Sequence, residues 1–433
     1  MTLPINANLA RINLPTVSSS QLHKLLVIGD SQTLRQSNRA MGQFQKWPVE
    51  HVGLMAYSVN QQSVGSFYSE VSGSAYGATI TTTRVDDVDD WGDGNTSDHL
   101  GWGNKWDVAG TISPNFSELG RYAISSGGFA TAFDLDARKN ARVILRDQSG
   151  GMARMRLQEY RDSTLGNSED FGISGDPVVF DQSGALRILN QEVRAAGVLG
   201  STSGSPVGVV VKDSNNSDTN KSLSILGALI YNSPSGEAFP SSGLIAANVG
   251  HAGWSAYDHV NRQSSAARTA LCAAMEGVDL IMIMLGHNAE DAGTYRDNIQ
   301  AIINAWNVTH AGQGYNSPDY CLVAPWRSDA SSMNGSNGPS KVSDLYGIAK
   351  SGGHGFINLF GSYGGVEIDG RTVQLDGTAT TYTMDGSNLH PNDAATAESI
   401  ADDIWWHFQP ENFDSETPIA GSRSRRTRMR QHR

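Results

Sequence analysis

Cysteine is nearly absent: Cys272 and Cys321 are the two thiols in 433 residues. Two cysteines cannot frame a disulfide-stapled fold, and their settings suit small core side chains, "ARTALCAAM" reading as helix and "YCLVAPW" as strand. Charge is sparse as well, at 18% of residues, and it leans acidic to a net −12. Such a balance repels phosphate backbones, so no nucleic-acid partner is expected. Long apolar runs are missing. None approaches the ~20 residues that cross a bilayer, so no membrane partner is expected either. The N-terminal stretch shows no signal peptide, lacking the apolar segment of one. The chain therefore reads as soluble. Its compartment stays open between the cytoplasm and an extracellular or virion-associated setting reached by a route the sequence does not display.

Glycine, in contrast, is plentiful, with 47 residues beside a hydrophobic content of 39%. That composition suits a globular chain rich in strands and turns. The length exceeds one ordinary core and predicts two or three domains. Residues 1–22 read as an extended arm. Residues 23–64 begin a strand–turn–helix pattern, in which "KLLVIGDSQTL" runs four apolar residues into Gly29-Asp30-Ser31. From 65 to 231 short alternating runs such as "ARVILRDQ" and "ALRILNQEV" are separated by Gly, Ser, Asn and Asp clusters, the pattern of half-buried antiparallel strands. From 232 to 410 continuous apolar runs, "GLIAANVG" and "VDLIMIML", alternate with helical spacing in "YRDNIQAIINAW", as expected for strands buried on both faces of a parallel sheet. The expected fold class is thus α/β: a doubly wound parallel sheet, discontinuous in sequence, interrupted by an inserted antiparallel β-sandwich or jelly roll. Residues 411–433 form a tail in which six arginines, among them Arg423 and Arg433, crowd the last eleven positions. Such a tail is either a solvated end or an electrostatic contact.

In an open parallel sheet, reacting groups gather at the carboxyl ends of the strands. Ser31 follows the first strand directly. Alone it reads first as the cap of a following helix, because a serine hydroxyl needs a base to act as a nucleophile. Three other polar clusters stand where strands should end or a last helix begin: "NVGHAGWSAYDHV" with Gly253, "IMLGHNAED" with Gly286 and Asn288, and "MDGSNLHPND" with Asp385 and His390. All four can meet at one sheet edge.

Those four blocks, in that order, resemble the SGNH or GDSL-type hydrolases, whose core is flavodoxin-like. The resemblance spans the α/β portion and not residues 65–231. It implies Ser31 as nucleophile, His390 as general base, and an oxyanion hole built from the Ser31 and Gly253 N–H groups and the Asn288 amide. The family places an acid three residues before the histidine. Here that position is Ser387, so either Asp385 orients His390 through a bulged loop, or a backbone carbonyl holds the imidazole in a Ser–His dyad. Ala289 stands where many members have a structural aspartate. Asp30 is expected to bond nearby backbone N–H groups. His287 and Trp254 are expected to contact substrate.

Ser31 and Gly253 are about 220 positions apart, far beyond a direct crossover. The inserted span could wall the site, with Trp91, Trp102, Trp106 and Tyr122 either stacking on sugar rings or filling a core. Six aspartates within 86–98 are read as a solvated acidic loop rather than a calcium site. His251, His259 and His287 lack the spacing of a zinc site. No metal and no cofactor are expected. The expected partner is an acetylated polysaccharide or oligosaccharide, cleaved by a carbohydrate O-acetylesterase. The rival readings are a glycan-binding subunit of a homo-oligomer or of a larger virion or surface assembly, and a lipase or thioesterase.

Overall fold

The computed structural model describes residues 22–33, 239–241, 243–251, 253–290, 292–328, 331–334, 337–362, 389–391, 400 and 404, together with strands between 63 and 232 and between 367 and 372. The arm, the 86–98 acidic segment and the basic tail lie outside the described residues.

The first strand, β1 (Leu22–Gly29), carries the apolar run noted above, and Leu25, Leu26, Val27 and Ile28 are all buried. Within the span from 63 to 232, the alternating stretches form β2 (Ser63–Tyr68), β3 (Thr79–Val85), β4 (Gly103–Thr111), β5 (Glu118–Ala123), β6 (Lys139–Arg146), β7 (Arg154–Tyr160), β8 (Val178–Val179), β9 (Leu186–Val193), β10 (Gly208–Asp213) and β11 (Thr219–Asn232). The α/β portion resumes with β12 (Gly243–Asn248), α1 (Ala256–Arg262), α2 (Ser265–Ala274), β13 (Leu280–Met284), α3 (Ala292–Gly312), β14 (Asp319–Ala324), α4 (Gly338–Gly352), β15 (Gly355–Asn358) and the short α5 (Leu359–Ser362). A small antiparallel pair follows, β16 (Glu367–Ile368) with β17 (Arg371–Thr372).

The sheet order β15-β14-β13-β1-β12 is parallel throughout. Its strands are covered on both faces, which is why β13, Leu-Ile-Met-Ile-Met, has five buried residues in a row. The chain leaves β1 to return beside it as β12, then crosses to its other side as β13. Such a reversal opens a crevice at the carboxyl ends of the strands. Those ends carry Ser31, Gly253 and Asn288.

The pairings continue past β12 into the 65–231 span. Strand β2 adds to β12 in parallel, and β11 pairs antiparallel with β2, β4 and β6. Strands β5, β10, β7 and β8 form a separate sheet. Ile144, Leu226 and Leu229 are fully buried in the same cluster as Leu26 and Ile28. Arg142 adds a polar tie: its guanidinium donates to Ala274 O at the end of α2, pairs with Glu276 at 2.7 Å and lies 4.1 Å over the Phe239 ring. A cation there also suits the negative end of the helix dipole.

Helix starts and stops follow local chemistry. In α1 the Ser255 hydroxyl accepts from the Asp258 N–H while the Asp258 carboxylate accepts from the Ser255 N–H, a reciprocal capping box. Helix α2 is capped by Ser264. Helix α4 has a proline in its first turn and ends on Gly353 with φ 66°. In α3, Tyr295, Ile299, Ile302, Ile303 and Trp306 fall on one stripe and are buried against the sheet. Burying each such side chain contributes about 1.5–3 kcal/mol. Cys272 in α2 and Cys321 in β14 are buried free thiols. No described helix is long and apolar enough to cross a membrane.

Candidate active site

The turn after β1 is built so that Ser31 projects from the sheet edge. Thr33 closes it, its N–H and hydroxyl both donating to Asp30 O, at 3.1 and 2.8 Å. The Thr33 side chain fills the space over two glycines. A Cβ on Gly29 would sit 1.9 Å from Thr33 Cγ2 and 2.7 Å from Met284 O, and one on Gly250 would sit 1.8 Å from Thr33 Oγ1. Asn248 ties the end of β12 to the same turn: its amide donates to Thr33 O, and its Oδ1 accepts from the Gly250 N–H. The His259 Nε2–H donates to Gly29 O at 2.8 Å. Burial drives the His259 pKa down to about 4, so the ring is neutral there.

Ser31 Oγ lies 2.8 Å from His390 Nε2. At that distance the hydroxyl donates to an unprotonated ring nitrogen. Gln32 secures the arrangement from the serine side, its amide donating to Leu389 O at 2.6 Å. Ser31 is 9% exposed. Asp385 lies outside the described residues.

Gly253 occupies an exposed turn with φ 81°, a conformation that favours glycine. Trp254 sits next to it but is 3% exposed. Its ring stacks on His251 at 4.2 Å and meets the His259 edge at 5.0 Å. Trp254, expected from the sequence to contact substrate, is thus packed between two histidine rings. The Asn288 amide donates to Trp254 O at 2.7 Å. Glu290 accepts from the Ala256 N–H at 3.1 Å and from the Asn298 amide. Asn288 and Glu290 therefore join the loop after β13 to the loop after β12, the two that carry the expected donors.

His287 is 3% exposed and its Nδ1 pairs with the Ser331 hydroxyl at 3.0 Å. Burial first, then the nearby His390 and Lys341, lower its pKa to about 3. Asp30 is buried behind Ser31, and burial raises its pKa to about 7 against the opposing pull of the Gln32 and His287 N–H groups and of Lys341. Of those N–H groups, Gln32 donates to Oδ1 at 2.9 Å, and Oδ2 has no partner at hydrogen-bond distance. Asp30 thus bonds local backbone, as the sequence suggests.

Two participants escaped the sequence reading. Lys341 is fully buried and donates to Gly286 O at 3.0 Å and to Ser332 Oγ at 2.7 Å. Ser332 Oγ lies within 2.6–3.2 Å of the Gly286, His287 and Asn288 carbonyls. Among the described residues no group of His, Cys, Asp and Glu could hold a metal ion.

No protein-family model matches the sequence, and no curated protein sequence does. Among solved structures the chain is similar to a peptidoglycan O-acetylesterase, with TM-score 0.52 at 11% identity over 93% of this chain and 96% of that one. It is also similar to a family two carbohydrate esterase from Cellvibrio japonicus, at TM-score 0.26 and 10% identity over 76% of this chain and 98% of that one. A family 3 carbohydrate esterase from Talaromyces cellulolyticus gives TM-score 0.26 and 14% identity over 39% of this chain and 70% of that one. The first of the three carries the comparison, and at its level of identity what it establishes is a shared fold.

Proposed function

We propose that this chain, which has the α/β fold of the SGNH-type hydrolases, is a serine esterase that removes O-acetyl groups from a carbohydrate. The observation that carries the reading is the 2.8 Å approach of Ser31 Oγ to His390 Nε2 at the edge of the parallel sheet.

A serine hydroxyl is a weak nucleophile until a base takes its proton. In the proposed reaction Ser31 Oγ attacks the acetyl carbonyl carbon as His390 Nε2 accepts the hydroxyl proton. The carbonyl π-electrons move onto oxygen, and the Ser31 N–H, Gly253 N–H and Asn288 amide donate to that oxyanion. Removing one fixed donor of this kind raises the barrier by about 2.7–4 kcal/mol. The C–O bond to the sugar then breaks, and the sugar oxygen takes the proton from His390. A water, deprotonated by His390, attacks the acetyl-serine, releasing acetate and restoring Ser31. Asp385, or failing it a backbone carbonyl, orients the imidazole.

Acetate as the acyl group is supported by the peptidoglycan O-acetylesterase that shares the fold. The test is acetate release from O-acetylated xylan and O-acetylated peptidoglycan by the wild type and by Ser31→Ala. Release by the wild type alone supports the reading. Equally little release by both, from these polymers and from p-nitrophenyl acetate, overturns it in favour of a non-catalytic scaffold. Preference for long acyl chains would move the assignment to a lipase.

A further inference from the structure

The Gly286–Asn288 loop is held from behind by an unusual set of contacts. Three consecutive carbonyls, of Gly286, His287 and Asn288, turn toward one hydroxyl, Ser332 Oγ, at 2.9, 3.2 and 2.6 Å. The Ser332 N–H adds a bond to His287 O at 3.0 Å. Lys341 Nζ donates to that same hydroxyl and to Gly286 O. The ammonium occupies a lone pair of Ser332 Oγ, so the single hydroxyl hydrogen is directed at the loop carbonyls, of which Asn288 O is nearest. The ammonium also lies 5.0 Å over the Tyr295 ring.

A buried lysine costs several kcal/mol unless it is paired and bonded, so its presence calls for a counter-charge. Glu290 first, then Asp30, supply negative charge at longer range. The Gly286 carbonyl itself accepts from Lys341, and Asn288 lies two residues further along the same loop.

Resting on the esterase reading above, we infer that Lys341, acting with Ser332, is a positioning residue for acyl transfer: together they hold the Gly286, His287 and Asn288 carbonyls and so fix the Asn288 donor relative to the Ser31 nucleophile. Neither Lys341 nor Ser332 touches substrate. They set where the oxyanion donor sits, and a misplacement of about 1 Å can cost a rate factor of about 100.

The variant Lys341→Met keeps length and packing and removes the charge. Its kcat on p-nitrophenyl acetate is expected to fall about 10–100-fold with KM within about 3-fold, the split expected when only transition-state stabilisation is lost. Amide hydrogen exchange across 285–290 and at Ser332 is expected to accelerate, and this readout needs no turnover. Lys350→Met, at an exposed position near the end of the same helix, should behave as wild type. Should Lys341→Met fail to fold, Ser332→Ala takes its place, with an expected kcat loss of about 10-fold and the same exchange signature. Unchanged exchange in the folded variant, or an unchanged kcat, would overturn the positioning role. A wild type that turns over no ester, with exchange still accelerated in Lys341→Met, would instead sink the esterase reading and leave the hold on the loop standing.

Discussion

The Ser31 hydroxyl and the His390 imidazole stand 2.8 Å apart although 359 positions of chain separate them. The turn at the end of β1 supplies one group, and a segment near the last described residues supplies the other. Gln32, fully buried, spans the two through its bond to Leu389 O. If this pair is the reacting unit, Ser31→Ala and His390→Gln should each lower kcat for acetyl-ester hydrolysis by about 1,000-fold or more. Gln32→Ala, which loosens the pair without removing either member, should cost about 10-fold. Steady-state kinetics on purified variants with unchanged circular dichroism would check the ranking, and a Gln32→Ala loss as deep as that of Ser31→Ala would argue against it.

The Asn288 amide has two hydrogens, and one is committed to Trp254 O. The second is the proposed oxyanion donor. Asn288→Ala should therefore depress kcat about 100–1,000-fold with little change in KM. A variant that raised KM and spared kcat would show that Asn288 grips substrate instead.

Gly29 faces a steric limit that no side chain can satisfy, since its missing Cβ would lie 1.9 Å from Thr33 Cγ2 and 2.7 Å from the Met284 carbonyl. The carbonyl belongs to a central strand and cannot swing aside. Gly29→Ala should destabilise the protein by about 1–3 kcal/mol and displace Ser31. Denaturant melts and activity measured together would show both effects, and a variant of wild-type stability would contradict the packing described here.

Stability should depend on pH through three buried groups. His259 and His287 are held to about 4 and about 3, below their ordinary 6.5. The unfolded chain therefore binds protons that the folded chain refuses, and stability present above pH 6.5 is lost on acidification. Asp30 works in the opposite sense. Its folded value of about 7 exceeds the ordinary 3.8, so its contribution is full below that lower value and lost as pH rises toward 7. His259→Gln should flatten the acid side of the stability curve. Asp30→Asn should gain on wild type between about pH 5 and about pH 7.5. Urea midpoints across that range would read both slopes.

How far the sequence discloses this arrangement varies with the physics of each part. The places of Ser31, Gly253, Gly286 and Asn288 after the carboxyl ends of parallel strands were legible because they follow continuous apolar runs. Helix α3 was legible because its stripe from Tyr295 to Trp306 depends on spacing alone. The alternating stretches from 63 to 232 do form strands, but alternation names no partner, so the parallel pairing of β2 with β12 and the shared core at Ile144, Leu226 and Leu229 were not readable. The packing of Trp254 was not readable either, because tryptophan in a glycine-rich loop carries no periodicity; its burial is set by His251 and His259. Lys341 was hidden for a related reason. A lysine in "GPSKVSDLYG" reads as the wet face of a helix, and only a carbonyl from a loop about 55 positions earlier, with the Ser332 hydroxyl, makes burial tolerable.

The central claim is that Ser31 is the activated nucleophile, and covalent labelling tests it most directly. A fluorophosphonate reacts with a serine whose proton a neighbouring base can take. The protein should acquire one phosphonyl group, mapped by peptide mass spectrometry to Ser31, and His390→Gln should abolish the labelling. Modification of a different serine, or undiminished labelling in His390→Gln, would contradict the account.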